Sequence, residues 1–250
     1  VHSPDRVLHP MQRVGAKGEG RFERITWNEA LETIHDRFSG IIDEFGAEAI
    51  LPCSYIGQQG FVHGLNSGDA FFNRLGATIM ERTLCASAAN SASVMTTGVS
   101  SGVDPLSFVH SKFILIWGCN AISTHMHQWP MIAEAQRDGA KVVVVDPIRS
   151  RTAAKADWHV QIRPGTDAAL ALGMMSVIVS EDLVDADYVE KYTVGFDAIK
   201  ERAAQYPPER VAAITGLTQD DIRQLAREYA NIQPSVIRVG VAVERHRSGG

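Results

Sequence analysis

The sequence predicts an α/β fold built on a parallel sheet, and two observations carry that prediction. Phe113-Ile-Leu-Ile-Trp117 is a short apolar run without a charge, the pattern of a strand buried on both faces. Lys141-Val-Val-Val-Val-Asp146 repeats it, and between the two Met131, Ile132 and Ala135 fall at helical spacing over Gln128–Asp138 before Gly139. Strand, turn, helix, strand in that order implies a right-handed parallel crossover. Ligands of such sheets sit beyond the carboxyl ends of the strands, here at Gly118, Asn120, Thr124 and Asp146.

The remaining elements follow in chain order. Residues 1–24 are basic and carry Gly15, Gly18 and Gly20, which reads as loop or hairpin. Thr26-Trp-Asn-Glu29 is a capping box opening a helix whose stripe is Leu31, Ile34, Phe38, Ile41 and Ile42. Gly46 closes it, Ala49–Cys53 reads as a short strand, and Ser54–Gly68 as a long loop. Asp69–Leu75 is a helix stopped by Gly76, and small residues dominate from Cys85 to Gly102. Asp157–Ile162 is a third strand, and Arg163-Pro-Gly-Thr-Asp167 turns into a helix from Ala168 to about Ser180, capped by Thr166 or Asp167. Tyr188–Tyr206 reads as one amphipathic helix. Thr218-Gln-Asp-Asp221 caps another, with Ile222, Leu225, Ala226 and Tyr229 on one face, and Ser235–Val243 is the last strand.

The chain has 250 residues, 45% of them hydrophobic, and a formal charge of −5, an ordinary globular balance for one large or two smaller domains. The mild acidity argues against a nucleic-acid partner, which needs clustered Lys and Arg. No apolar run approaches membrane-spanning length. Cys53, Cys85 and Cys119 are odd in number and widely spaced, which suggests neither a disulfide framework nor a zinc motif. Both ends, Val1 and Ser248-Gly-Gly250, read as cut from a longer chain, so localisation, cytoplasmic or periplasmic, stays unassigned.

The turn after Trp117 is Gly118-Cys-Asn-Ala-Ile-Ser, not G-x-G-x-x-G, so the ordinary dinucleotide fingerprint is absent. Asp146, before Pro147, is either a ribose-binding carboxylate or a strand-end turn residue. Asn120 and Thr124 suit phosphate or amide groups, or are ordinary loop residues. Arg163 to Asp167, with Gly165 between them, offers backbone donors and a carboxylate beside a helix start. A carboxylate accepts paired bonds from guanine N1–H and its 2-amino group; the plainer alternative for Asp167 is a helix cap.

Together, Gly118-Cys-Asn, Thr124-His-Met-His, Gly139-Ala-Lys-Val-Val-Val-Val-Asp146-Pro, Thr152-Ala with Ala156-Asp157, and Arg163-Pro-Gly-Thr-Asp167 resemble the molybdopterin oxidoreductase superfamily, the dimethyl-sulfoxide-reductase family. Its formate-dehydrogenase-like and polysulfide- or thiosulfate-reductase-like branches fit best. Gly15–Leu31 and Arg245-His246 with Ser248-Gly-Gly250 resemble flanking family segments, so the likeness covers essentially the whole chain. It implies an opening segment over 1–24, part of a second α/β domain (family domain II) over 25–80, and a Rossmann-like cofactor-binding domain (family domain III) over 81–250. The implied cofactor is molybdenum or tungsten on bis-(molybdopterin guanine dinucleotide), serving two-electron oxygen-atom or hydride-equivalent transfer.

By the same resemblance Cys85 is the metal ligand and the catalytic residue, with Ser87 or Ser91 as alternative neighbours of note; a thiolate is a soft donor suited to such a metal. Gly118, Asn120, Thr124, Asp146, Pro147, Arg163, Gly165 and Asp167 are the implied cofactor-binding set. Without context a cysteine reads as a small buried apolar side chain, and Cys53 and Cys119 read as packing or loop residues. The family's cysteine-rich cluster segment and closing domain are not matched, so the chain reads as a central fragment, inactive alone. An iron–sulfur cluster in a preceding segment, a small inorganic or one-carbon substrate and electron-transfer subunits are the expected partners of the parent. His63, His125, His127, Arg245 and His246 are further polar candidates, each equally readable as loop residues, while Trp117, Trp129 and Trp158 read as core. The Glu181-Asp182 and Asp185–Asp187 acids read as a solvated face. The competing readings are a metal-free scaffold relative, such as the large subunit of respiratory complex I, and a plain nucleotide-binding module.

Overall fold

The computed structural model describes residues 2–55, 67–83, 85–246 and 249. They form two compact units, residues 1–82 and 83–250.

In the first unit β1 (Met11–Arg13) and β2 (Phe22–Arg24) make an antiparallel hairpin. α1 (Trp27–Phe45) starts at the expected capping box: Glu29 N–H donates to Thr26 Oγ1 at 3.2 Å, and Thr26 N–H donates to the Glu29 carboxylate at 2.7 Å. The strand expected over Ala49–Cys53 does not form. The chain makes a 3-10 turn at Ala47–Ala49, and Thr78 N–H donates to Ile50 O at 3.0 Å instead of opening a ladder. Pro52 has no N–H to give a neighbouring strand. α2 (Ser67–Leu75) ends at Gly76.

The second unit begins with α3 (Ser87–Thr97), then β3 (Phe113–Trp117), α4 (Ala121–Thr124), α5 (Trp129–Arg137) and β4 (Lys141–Val145). β5 (Trp158–Val160), α6 (Asp167–Ser180), α7 (Ala186–Tyr192), α8 (Phe196–Ala204), α9 (Pro208–Thr215), α10 (Gln219–Asn231) and β6 (Ser235–Val239) follow. The sheet order is β5-β4-β3-β6, and every neighbouring pair is parallel. All four carboxyl ends therefore lie along one edge of the sheet.

Because side chains alternate across a strand, the two apolar runs feed two separate core layers. Phe113, Leu115, Trp117, Val143 and Val145 pack with Leu170 and Met174 of α6, Val211 of α9 and Leu225 of α10. Ile114, Ile116, Val142 and Val144 pack with Phe108 and with Ile132 and Ala135 of α5. Each such fully buried aliphatic side chain contributes about 1.5–3 kcal/mol. That burial is why these strands carry no polar alternation.

Two further expectations are corrected and one is met in part. Tyr188–Tyr206 is not one helix: the chain breaks at Thr193–Gly195, where Gly195 takes φ 77°, and α7 and α8 result. Thr166 takes the cap position of α6 as foreseen, but its Oγ1 donates to Arg163 O at 2.6 Å instead of accepting a helix N–H, and Asp167 is the first helical residue. The last strand stops at Val239 rather than Val243, because the chain after Gly240 folds into a 3-10 turn at Val243–Arg245. α9, opened by Pro208 at its first position, was not foreseen. The capping box of α10 forms as expected, with Asp221 N–H on Thr218 Oγ1 at 3.1 Å and Thr218 N–H on Asp221 at 3.2 Å.

Candidate functional site

The carboxyl edge of the sheet collects the loops that follow β3 (from Gly118), β4 (from Asp146), β5 (to Asp167) and β6 (from Gly240). β4 and β5 extend to one side of β3 while β6, last in sequence, lies on the other. The order thus reverses beside β3, and such switch points are where parallel sheets open to ligands.

At that point the backbone packs too tightly for side chains. Gly240 N–H donates to Trp117 O at 2.7 Å, and a Cβ on Gly240 would run into Gly118 O. Gly118 takes φ 58°, and a Cβ there would stand 2.7 Å from Val243 Cγ2. Glycine at both positions is therefore a condition of this close approach.

Asp167 sits where β3 ends and α6 begins. Its Oδ1 accepts the indole N–H of Trp117 at 2.7 Å. Trp117 is core, as expected, but its polar end anchors the carboxylate. Trp117 and Asp167 line a pocket of about 380 Å³ with Ala168, Ala171, Leu172, Ile237, Val239 and Val243. A half-buried carboxylate in an apolar pocket of that size suits a planar ring with N–H donors on one side. A carboxylate has about four lone-pair sites, so the indole bond leaves capacity for a second pair of donors.

The other expected residues are engaged locally. Asp146 Oδ1 accepts the Ile148 N–H at 2.8 Å, and Asp146 O faces His159 Nε2 at 2.8 Å, so the residue closes a turn at the end of β4. Pro147 O accepts from Gln161 Nε2 at 3.0 Å. Asn120 Oδ1 accepts from the fully buried Thr152 Oγ1 at 2.8 Å, and Thr152 Oγ1 accepts the Ile122 N–H at 3.1 Å. Thr124 Oγ1 donates back to Asn120 O at 3.0 Å. The Arg163 guanidinium donates to Ala213 O at 2.8 Å and Ile214 O at 3.3 Å, bracing the end of α9. Gly165 takes φ 76°, and a Cβ there would lie 3.3 Å from His246 Nδ1.

Cys85 is half-buried, and Arg245 Nη2 donates to its Sγ at 3.1 Å. The neighbouring Glu244 accepts the Ala89 N–H through Oε2 at 2.5 Å, while its buried Oε1 has no hydrogen-bond partner. Glu244 and Val243 were not singled out from the sequence. Val243 closes the stretch that reads as strand and Glu244 follows it, and the one local signal is Gly240 within that stretch. Among the described residues no three His, Cys, Asp or Glu side chains converge to hold a metal ion.

Of the remaining candidates, His125 Nδ1 lies 2.8 Å from Oε1 of the buried Gln128, which also accepts from Arg238 Nε at 3.2 Å, while His127 is exposed. Trp129 and Trp158 pack against the core, Cys119 is buried and Cys53 is exposed. His63 and most of the loop expected over Ser54–Gly68 lie outside the described residues. Among the described residues no helix is long and apolar enough to cross a membrane.

Residues 6–250 match the molybdopterin oxidoreductase family. The chain is 42% identical over its whole length to a probable oxidoreductase of Bacillus subtilis (strain 168), spanning 37% of that protein. It is 32% identical to a dimethyl sulfoxide reductase of Escherichia coli (strain K12), covering all of this chain and 34% of the relative. Among solved structures, acetylene hydratase from Pelobacter acetylenicus superposes with a TM-score of 0.78 at 34% identity, over 99% of this chain and 34% of that one.

Proposed function

Because the chain belongs to the molybdopterin oxidoreductase family, we propose that it is the cofactor-holding centre of a larger catalytic subunit. The group held is molybdenum or tungsten on two pyranopterin dithiolenes, each extended as a guanine dinucleotide. The reaction class is two-electron oxygen-atom or hydride-equivalent transfer on a small inorganic or one-carbon substrate. Electrons pass to partner subunits, with an iron–sulfur cluster carried outside this chain. Within the parent, this chain needs the rest of the subunit to act.

The residues present fit such a group. The half-buried thiol of Cys85 offers a soft donor. Glu244, next in sequence to the Arg245 that meets this thiol, has a buried acceptor, Oε1, without a hydrogen-bond partner among the described residues. Glycines at Gly118, Gly165 and Gly240 let the turn after β6 pack directly on the carboxyl edge of the sheet, against Val243, His246 and the Gly118 carbonyl. One observation carries the reading: the thiol, the glycine turns and the Asp167 pocket all meet the residues that follow β6 at the carboxyl edge of the sheet.

When bound, the metal–dithiolene group supplies the two-electron chemistry, and the protein supplies position and tuning. Cys85 donates its sulfur to the metal as ligand and catalytic residue. Asp167 accepts from guanine N1–H and the 2-amino group, its orientation set by Trp117. Asp146 offers its second carboxylate oxygen to ribose hydroxyls, and Pro147 stiffens the turn behind it. Gly118 and Gly165 let backbone amides reach the diphosphate, with Asn120 and Thr124 at the phosphate or pterin end. Arg163 contributes through its backbone, since its guanidinium braces α9.

The test is metal analysis of the full-length parent together with identification of the nucleotide released on denaturation. Molybdenum or tungsten with a guanine nucleotide is expected. A metal-free folded protein would favour the scaffold reading, and an adenine nucleotide would overturn the role of Asp167.

A further inference from the structure

The turn after β6 touches a different candidate element with each of four consecutive residues. Val243 fills the space beside Gly118, where a Cβ would stand 2.7 Å from its Cγ2. Glu244 Oε2 accepts the Ala89 N–H in the first turn of α3 at 2.5 Å. Arg245 donates to Cys85 Sγ at 3.1 Å. His246 packs over Gly165, 3.3 Å from where its Cβ would be. Gly240 anchors the turn by donating to Trp117 O at 2.7 Å.

We propose that this turn is a latch, with Arg245 and Glu244 as positioning residues that fix the Cys85 sulfur at the carboxyl edge of the sheet. The inference rests on the reading of Cys85 as the metal's protein ligand. The physical need is specific. Cys85 precedes α3 in a segment of small side chains (Ala86, Ser87, Ala88, Ala89) that have little bulk with which to hold it. Its place must then come from outside the segment. A guanidinium has several donors in a fixed fork, so it can hold a sulfur and keep its direction. Glu244 satisfies one of the orphan amides at the N-terminus of α3, which fixes the start of the helix two residues after Cys85. Two successive residues thus secure the sulfur and the helix behind it.

The test uses the full-length, cofactor-loaded parent with Arg245→Ala, Arg245→Lys and Cys85→Ser, read by metal content and by X-ray absorption. Arg245→Ala should retain the metal yet lose the protein sulfur from the shell in a large share of molecules. Arg245→Lys, which keeps a charged donor, should restore most of it; a merely structural role would not be rescued in the sulfur shell. A wild-type shell in Arg245→Ala, with Cys85→Ser altered, overturns the latch while leaving the ligand intact. A wild-type shell in Cys85→Ser instead overturns the ligand reading. In that case the latch is decided on cofactor-free protein by hydrogen exchange of residues 85–90. Exchange faster by about fivefold or more in Glu244→Ala and Arg245→Ala supports it, and unchanged exchange overturns it.

Discussion

The Asp167 carboxylate has one hydrogen-bond partner among the described residues and, on the proposed reading, guanine as a second. The indole N–H of Trp117 holds Oδ1, and the pocket it faces is otherwise largely apolar. Asp167→Asn keeps a carbonyl for the indole, so the fold should persist. It also points an amide N–H₂ toward guanine donors. Losing a charge-assisted bond costs about 1.5–3 kcal/mol, so cofactor occupancy should fall about tenfold or more, measured as guanine nucleotide per protein. Unchanged occupancy would remove Asp167 from the site. Gly118 tests the backbone side of the same place. With φ 58° the left-handed conformation alone costs an L-residue about 1–2 kcal/mol, and a methyl there would press on Val243. Gly118→Ala should lower the urea midpoint accordingly and reduce occupancy as the turn moves. The sequence offered Gly118 because it stands at a strand end and Asp167 because it stands beside a helix start. It hid the Trp117 bond, because nothing local says that a strand residue will donate to a carboxylate fifty positions on.

At the level of elements, legibility tracked locality. The capping boxes of α1 and α10 are complete within four residues and both form as read. Replacing Thr218 by alanine should cost about 1 kcal/mol, seen as a lower urea midpoint with an unchanged slope. In α1 the carboxyl of Glu29 is held below its usual range, first by the Thr26 backbone N–H and then by the Thr26 hydroxyl. A depressed carboxylate stabilises above its unfolded pKa and loses that effect as pH falls through the folded value. Protection of the first-turn amides of α1 should therefore fade on acidification below the ordinary glutamate range, and Glu29→Gln should flatten that dependence. The runs Phe113–Trp117 and Lys141–Val145 were legible because burial on both faces removes every polar alternation. Ala49–Cys53 was equally apolar but found no ladder. The helix expected over Tyr188–Tyr206 was broken by Gly195, where a left-handed backbone is cheap.

For the whole molecule, what no stretch could announce is assembly across distance. β6 is the last strand of the chain, yet it lies beside β3, and Arg245 meets Cys85 across 160 positions. The family likeness pointed to Cys85 and, separately, to Arg245 in a flanking segment, but nothing local joined the two. That arrangement sets an order of events in time. A ribosome making this chain releases Cys85 long before Arg245, and contacts of such long separation close late. Through that interval the thiol is exposed to oxidants and stray metals, and it becomes guarded when β6 docks. In refolding, a pulse of alkylating reagent should label Cys85 readily at first, then about tenfold more slowly once the β6 amides become protected. On the proposed reading, cofactor insertion then has its own schedule, since the centre around Cys85 is assembled only once β6 is in place.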